Sequence, residues 1–138
     1  VNATPLTPAE RAACAVCADW LSTSTAVGLV AWFAVAAALA GLATGGAPHP
    51  VMVLVPLALA ERYLAVRVAL DARLFDRLAS GSVASLDDLD AGLRQTLSVP
   101  AAKAGRPLAP RIAGARRLYR WQLLATVLIV VLAILAWC

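Results

Sequence analysis

The sequence predicts an all-α integral membrane protein with three transmembrane helices, an N-terminal amphipathic interfacial helix, and a short cytosolic helix between the second and third crossings. Three observations carry this. The 138 residues are 62% hydrophobic and 14% charged, where a soluble domain is about half apolar and about a quarter charged. Charge is segregated: apart from Arg11, every Lys and Arg lies between Arg62 and Arg120, and residues 20–60 and 121–138 carry none. Two apolar runs match the roughly 20 residues needed to cross about 30 Å of hydrocarbon. The length allows a single membrane domain, 1–138. Only one of 12 basic residues is Lys, and the chain is rich in Ala, the bias of GC-rich codons, which points to a bacterium.

In chain order, Thr7-Pro8-Ala9-Glu10 reads as a capping box with proline at the first helical position. It opens a helix over 7–21 that carries Val16, Trp20 and a row of alanines and lies along the membrane surface. The first crossing follows over 25–43, TAVGLVAWFAVAAALAGLA, and stops at Thr44-Gly45-Gly46. Ala38-Leu39-Ala40 resembles a signal-peptide cleavage site, but Glu10, Arg11 and Asp19 stand where a basic leader would be, so the segment is read as a retained crossing.

The second crossing is less regular. Its clean apolar run, VMVLVPLALA, has only ten residues before Glu61, Arg62, Tyr63 and Arg67, about 15 Å of helix. The apolar pattern nevertheless continues, and one helix over 51–79 is expected, with a cytosolic extension ending at Ser80-Gly81-Ser82. Pro56 is compatible with it, because a membrane helix re-satisfies a freed carbonyl locally. Ser85 then caps an amphipathic helix over 85–97 whose stripe is Leu86, Leu89, Leu93 and Leu97, with Leu74 and Leu78 as the expected partners. Residues 98–110 read as a coil linker. The last helix, 111–137, starts basic and becomes the third crossing, with Tyr119, Trp121 and Trp137 at its two ends.

Orientation follows from nine basic residues in 71–120 against none in 44–50. Positive residues stay inside, so the N-terminus is cytosolic and the C-terminus periplasmic, in the inner membrane of a bacterium.

The polar residues divide into groups. Glu61, Arg62, Arg67 and Asp71 are the intramembrane polar candidates, since ionisable groups at that depth are costly and face a protein interior or a polar cavity. They admit three readings: arginines snorkelling to the headgroups, a buried structural pair, or a proton, ion or substrate path. Ala34, Ala37, Ala38 and Gly41 form a small-residue face of the kind along which membrane helices pack closely. Lys103, Arg106, Arg111, Arg116, Arg117 and Arg120 contain no acid among them and precede a crossing, which points to anionic lipid rather than nucleic acid. Cys14 and Cys17 form a CAVC pair, a redox couple or half a zinc site in principle, although a structural zinc needs four ligands. His49, Met52 and Cys138 fall at the outer face without a pattern between them. A single histidine rules out a bis-histidine haem within one chain. No phosphate loop or nucleophile elbow is present.

No catalytic residue, metal ligand set or cofactor is therefore expected. The leading expectation is a non-catalytic accessory or scaffold subunit of a larger inner-membrane complex, assembled with other membrane subunits or with itself through the small-residue face. The alternative is a small oligomeric channel or carrier with Glu61 and Arg62 lining its path. A membrane redox protein using Cys14 and Cys17 comes third.

Overall fold

The computed structural model describes residues 5–45, 49–97 and 107–136, the side chains of 49, 50, 96 and 97 excepted. The described chain is all helical: α1 (Pro8–Ser22), α2 (Ser24–Ala43), α3 (His49–Ala79), α4 (Leu86–Leu97) and α5 (Leu108–Leu135). It forms two units, one of residues 22–69 and 117–138, the other of residues 1–21 and 70–116.

In the first of these units, α2 explains why hydrophobicity alone could not orient it. The helix is apolar on every side, and what distinguishes its faces is size. Ser24, Gly28, Ala31, Val35, Ala38 and Gly41 are buried, while Leu29, Val30, Trp32, Phe33 and Leu39 are exposed. Small residues inside let backbones approach closely, and the bulky ones are turned outward. The buried positions step by three or four residues, the period of a helix seam against neighbouring helices. Against this seam pack Leu54 of α3 and Ile129, Ala133 and Ala136 at the far end of α5, with Ala34, Leu57, Ala58 and Leu132 at the margin. Gly45 ends the segment at a φ of 99°, the left-handed conformation that glycine adopts without strain.

The other unit contains capped helix ends and an ion pair between helices. Thr7 and Glu10 close the capping box at the start of α1: the Thr7 N–H donates to Glu10 Oε2 at 2.8 Å and the Glu10 N–H to Thr7 Oγ1 at 3.3 Å. The backbone N–H of Thr7, and then its hydroxyl, hold the Glu10 carboxyl below the usual carboxylate range. Ser85 caps α4 by accepting the Asp88 N–H at 3.1 Å. Leu74 lines a shared crevice with Leu89 and Leu93, and Leu78 and Phe75 are buried. Arg111 Nη2 donates to both carboxylate oxygens of Asp90, at 2.8 and 2.7 Å, and so ties α4 to the start of α5.

Among the described residues, two stretches, not three, are long and apolar enough to cross a membrane. They are the run through α1 and α2 (Pro8–Ala43) and α5, with mean hydropathies of 2.2 and 2.1 over their best windows. Only 28% and 33% of those windows are buried, so most of their apolar surface faces outward, unlike that of a soluble core helix. The expected second crossing does not join them, because Glu61, Arg62 and Arg67 interrupt the apolar run of α3.

Candidate functional site

The buried positions of α3 explain its most unusual residue. Val51, Leu54, Glu61, Ala65 and Val68 are all buried and fall on one stripe, in steps of three, seven, four and three residues. Glu61 therefore occupies a core position between Leu54 and Val68, each seven residues away, and is only 1% exposed. Arg62 and Arg67 leave that stripe and are exposed. Adjacent residues on a helix diverge by about 100°, given 3.6 residues per turn, so the pair that the sequence places side by side is split by the fold.

What meets Glu61 comes from the other two helices of its unit. Gln122 of α5 is wholly buried. Its Nε2 donates one hydrogen to Glu61 Oε1 at 3.0 Å and another to the Ser24 carbonyl of α2, also at 3.0 Å. Ser24 is itself buried, and Gly28 stands one turn further on, where an added Cβ would lie 3.7 Å from Glu61 Oε1. One amide thus links α2, α3 and α5. At the start of α2, the hydroxyl of Thr23 makes no cap bond and instead shares a 2.7 Å hydrogen bond with the Tyr119 hydroxyl.

Two buried polar atoms in this region find no partner, Gln122 Oε1 and Thr126 Oγ1. Gln122 and Thr126 are four residues apart and share a face of α5. Tyr119, Gln122 and Thr126 therefore form a polar row, followed outward by the apolar Ile129, Ala133 and Ala136. Unpaired buried polar atoms cost roughly 1–3 kcal/mol each and call for a functional or structural reason.

The remaining candidates are placed as follows. Asp71 is half-buried and, like Cys17, belongs to the other unit. Ala38 and Gly41 lie inside the chain's own seam, Ala34 lies at its margin, and Ala37 is exposed. Among the basic residues, Arg111 is engaged by Asp90. Arg116 lies over the Trp20 ring at 5.8 Å from its centroid, and Arg117 and Arg120 are exposed. Lys103, Arg106, Cys138 and the side chain of His49 lie outside the described residues; Met52 is exposed.

Cys14 and Cys17 are free thiols, both buried. Burial pushes both thiols up; the neighbouring Cys17 adds to this at Cys14, while Arg116 partly opposes it at Cys17. Thiols so placed have little of the thiolate that redox and metal chemistry require. Among the described residues, no three His, Cys, Asp or Glu side chains gather as a metal site.

Sequence reasoning picked out Glu61 and missed Gln122, Ser24 and Thr126. The available signal was the polar pair Gln122 and Thr126 at one-turn spacing inside an otherwise apolar run. Compared with known protein families, curated proteins and solved structures, the chain shows no significant match.

Proposed function

We propose that the chain crosses a bacterial inner membrane three times, N-terminus inside. It works as a non-catalytic subunit of a larger membrane assembly, and its working group is the carboxyl of Glu61. The third crossing is α3. Its 31 residues reach about 46 Å at 1.5 Å each, and its outward face shows Met52, Val53, Val55, Leu59, Tyr63 and Val66. With Glu61 turned inward, only Arg62 and Arg67 would face lipid, and long basic side chains reach the headgroups by snorkelling. The nine basic residues of 71–120 set the orientation.

One observation carries the role of Glu61: it is 1% exposed and the neutral amide of Gln122 is its hydrogen-bond partner among the described residues. A carboxylate kept only to bind helices together is best matched by a cation, because a buried charge is costly unless paired. The nearest arginines along the same helix, Arg62 and Arg67, are exposed and point elsewhere. Glu61 is thereby left to exchange a small cation, a proton first of all, as intramembrane carboxyls in relays do.

The test uses the full chain in its native assembly, sized in mild detergent and then reconstituted in vesicles with an imposed proton gradient. Glu61→Gln should leave the size of the assembly unchanged and remove the proton flux that the parent carries. A parent assembly without flux, or undiminished flux in the variant, refutes the proton-exchanging role. Breakdown of the complex in the variant makes Glu61 a structural tie instead.

A further inference from the structure

The face of α1 beside the start of α5 is open and apolar. Ala12, Ala13, Val16, Cys17 and Trp20 of α1, with Ile112 and Arg116 of α5, line a crevice of about 500 Å³. That is within the usual range for small-ligand sites, which pair an apolar wall with a few placed polar groups. Here the wall is apolar from end to end and the one charge is the Arg116 guanidinium, lying over the Trp20 ring at 5.8 Å from its centroid. At that distance the guanidinium is within reach of the negative face of the ring and keeps its N–H donors. Arg116 is exposed, so those donors are accessible.

We infer that this crevice is a binding site for one anionic phospholipid, its acyl chain along Val16 and Ile112 and its phosphate on Arg116. Three features favour a lipid. An apolar groove that ends in a single guanidinium matches an amphiphile with one anionic head, and an Arg fork suits phosphate oxygens. Tryptophan beside it is the side chain favoured at headgroup level. Both walls also belong to the two stretches apolar enough to cross a membrane: Trp20 lies in the run through α1 and α2, and Arg116 lies in α5. The alanines at positions 12 and 13 leave the groove open, and a larger side chain at either would fill it.

The test reads Trp20 fluorescence in the full chain carrying Trp32→Phe, Trp121→Phe and Trp137→Phe, in vesicles doped with brominated phosphatidylglycerol or brominated phosphatidylcholine. Brominated phosphatidylglycerol should quench Trp20 at about fivefold lower mole fraction, the equivalent of about 1 kcal/mol for one basic contact. Arg116→Gln should abolish that preference, Ala12→Leu should reduce quenching by both lipids, and excess inorganic phosphate should displace neither. Native mass spectrometry of the parent and of Arg116→Gln, which leaves all four tryptophans in place, provides a second reading: the parent should retain phosphatidylglycerol and the variant should lose it. Equal quenching by the two lipids means an unselective annulus, and displacement by inorganic phosphate means a free-anion site. Quenching by neither lipid means that protein covers the crevice. Each of these results, or a preference that survives Arg116→Gln, overturns the inference.

Discussion

Replacing Glu61 with glutamine should leave the fold as stable as the parent or more so, whereas Gln122→Leu should cost about 2–3 kcal/mol. The difference comes from which groups each change leaves unpartnered. In Gln122→Leu the Glu61 carboxyl loses the 3.0 Å bond from Nε2, and hydrogen bonds to charged groups contribute roughly 1.5–3 kcal/mol. The Ser24 carbonyl also loses a 3.0 Å bond, but as a residue of α2 it still serves the helix ladder, so its share is a few tenths at most. In Glu61→Gln the shape is unchanged and the oxygen still accepts from Gln122 Nε2. The bond that remains is a neutral interhelical one, about 0.6 kcal/mol on average in membrane proteins, and the gain is relief from burying a carboxylate. Equilibrium unfolding by SDS titration in mixed micelles, followed by far-UV circular dichroism, measures both variants. A loss of about 2 kcal/mol or more in Glu61→Gln would falsify the reasoning, since it would mean that the carboxylate has an ionic partner whose loss is felt. The same measurement makes the flux experiment interpretable, because a stable variant that conducts nothing has lost only the carboxyl.

The small-residue seam makes a matching prediction: Ala38→Leu or Gly41→Leu should destabilise the chain itself by about 1–3 kcal/mol through overpacking, while Ala37→Leu, on an exposed position, should change stability by less than about 0.5 kcal/mol. The Asp90–Arg111 pair, with side chains 7% and 18% exposed, predicts that Arg111→Met costs roughly 2–3 kcal/mol and that adding Asp90→Leu recovers part of it; no recovery would place the cost elsewhere. Topology needs an added thiol, because burial by itself protects Cys14 and Cys17 from reagents. With Ala84→Cys, on an exposed position, an impermeant maleimide should label broken cells and spare intact ones, and the opposite pattern would invert the orientation.

Much of the fold was legible because its punctuation is chemical. The Thr7–Glu10 box, the glycines at 45 and 81 with their positive φ, and Ser85 before three aspartates each satisfy a helix end in a way only a few residue types can. The faces of α2 were not legible from hydrophobicity, because nearly every residue is apolar and the helix sorts its sides by volume. That is why the sequence offers Ala34, Ala37, Ala38 and Gly41 as one partner-facing surface, while the fold turns Ala38 and Gly41 inward and Ala37 outward. The basic residues illustrate a related point. Their shared sign suggested one lipid-facing set, but Arg111 is claimed by an aspartate 21 residues earlier, a pairing that only tertiary structure creates.

The candidate site shows where a sharper reading was available. Leu54, Glu61, Val68 and Phe75 recur every seventh residue and are all buried; a heptad with a carboxyl in place of a leucine is a pattern visible in the sequence. It assigns Glu61 to the core and frees Arg62 for the surface, which the neighbouring charges alone conceal. Gln122 is the counterpart in α5, where Tyr119, Gln122, Thr126, Ile129 and Ala133 alternate steps of three and four. A polar residue at such a position costs stability and persists for register or for chemistry. Register alone would be served by one reciprocal hydrogen bond between the two side chains. Instead, Gln122 uses a single nitrogen for both of its bonds and leaves its oxygen, like the Thr126 hydroxyl, without a partner. That excess of unpartnered oxygen beside a buried carboxyl is more than a register device needs, and it is the physical reason to look for a cation there.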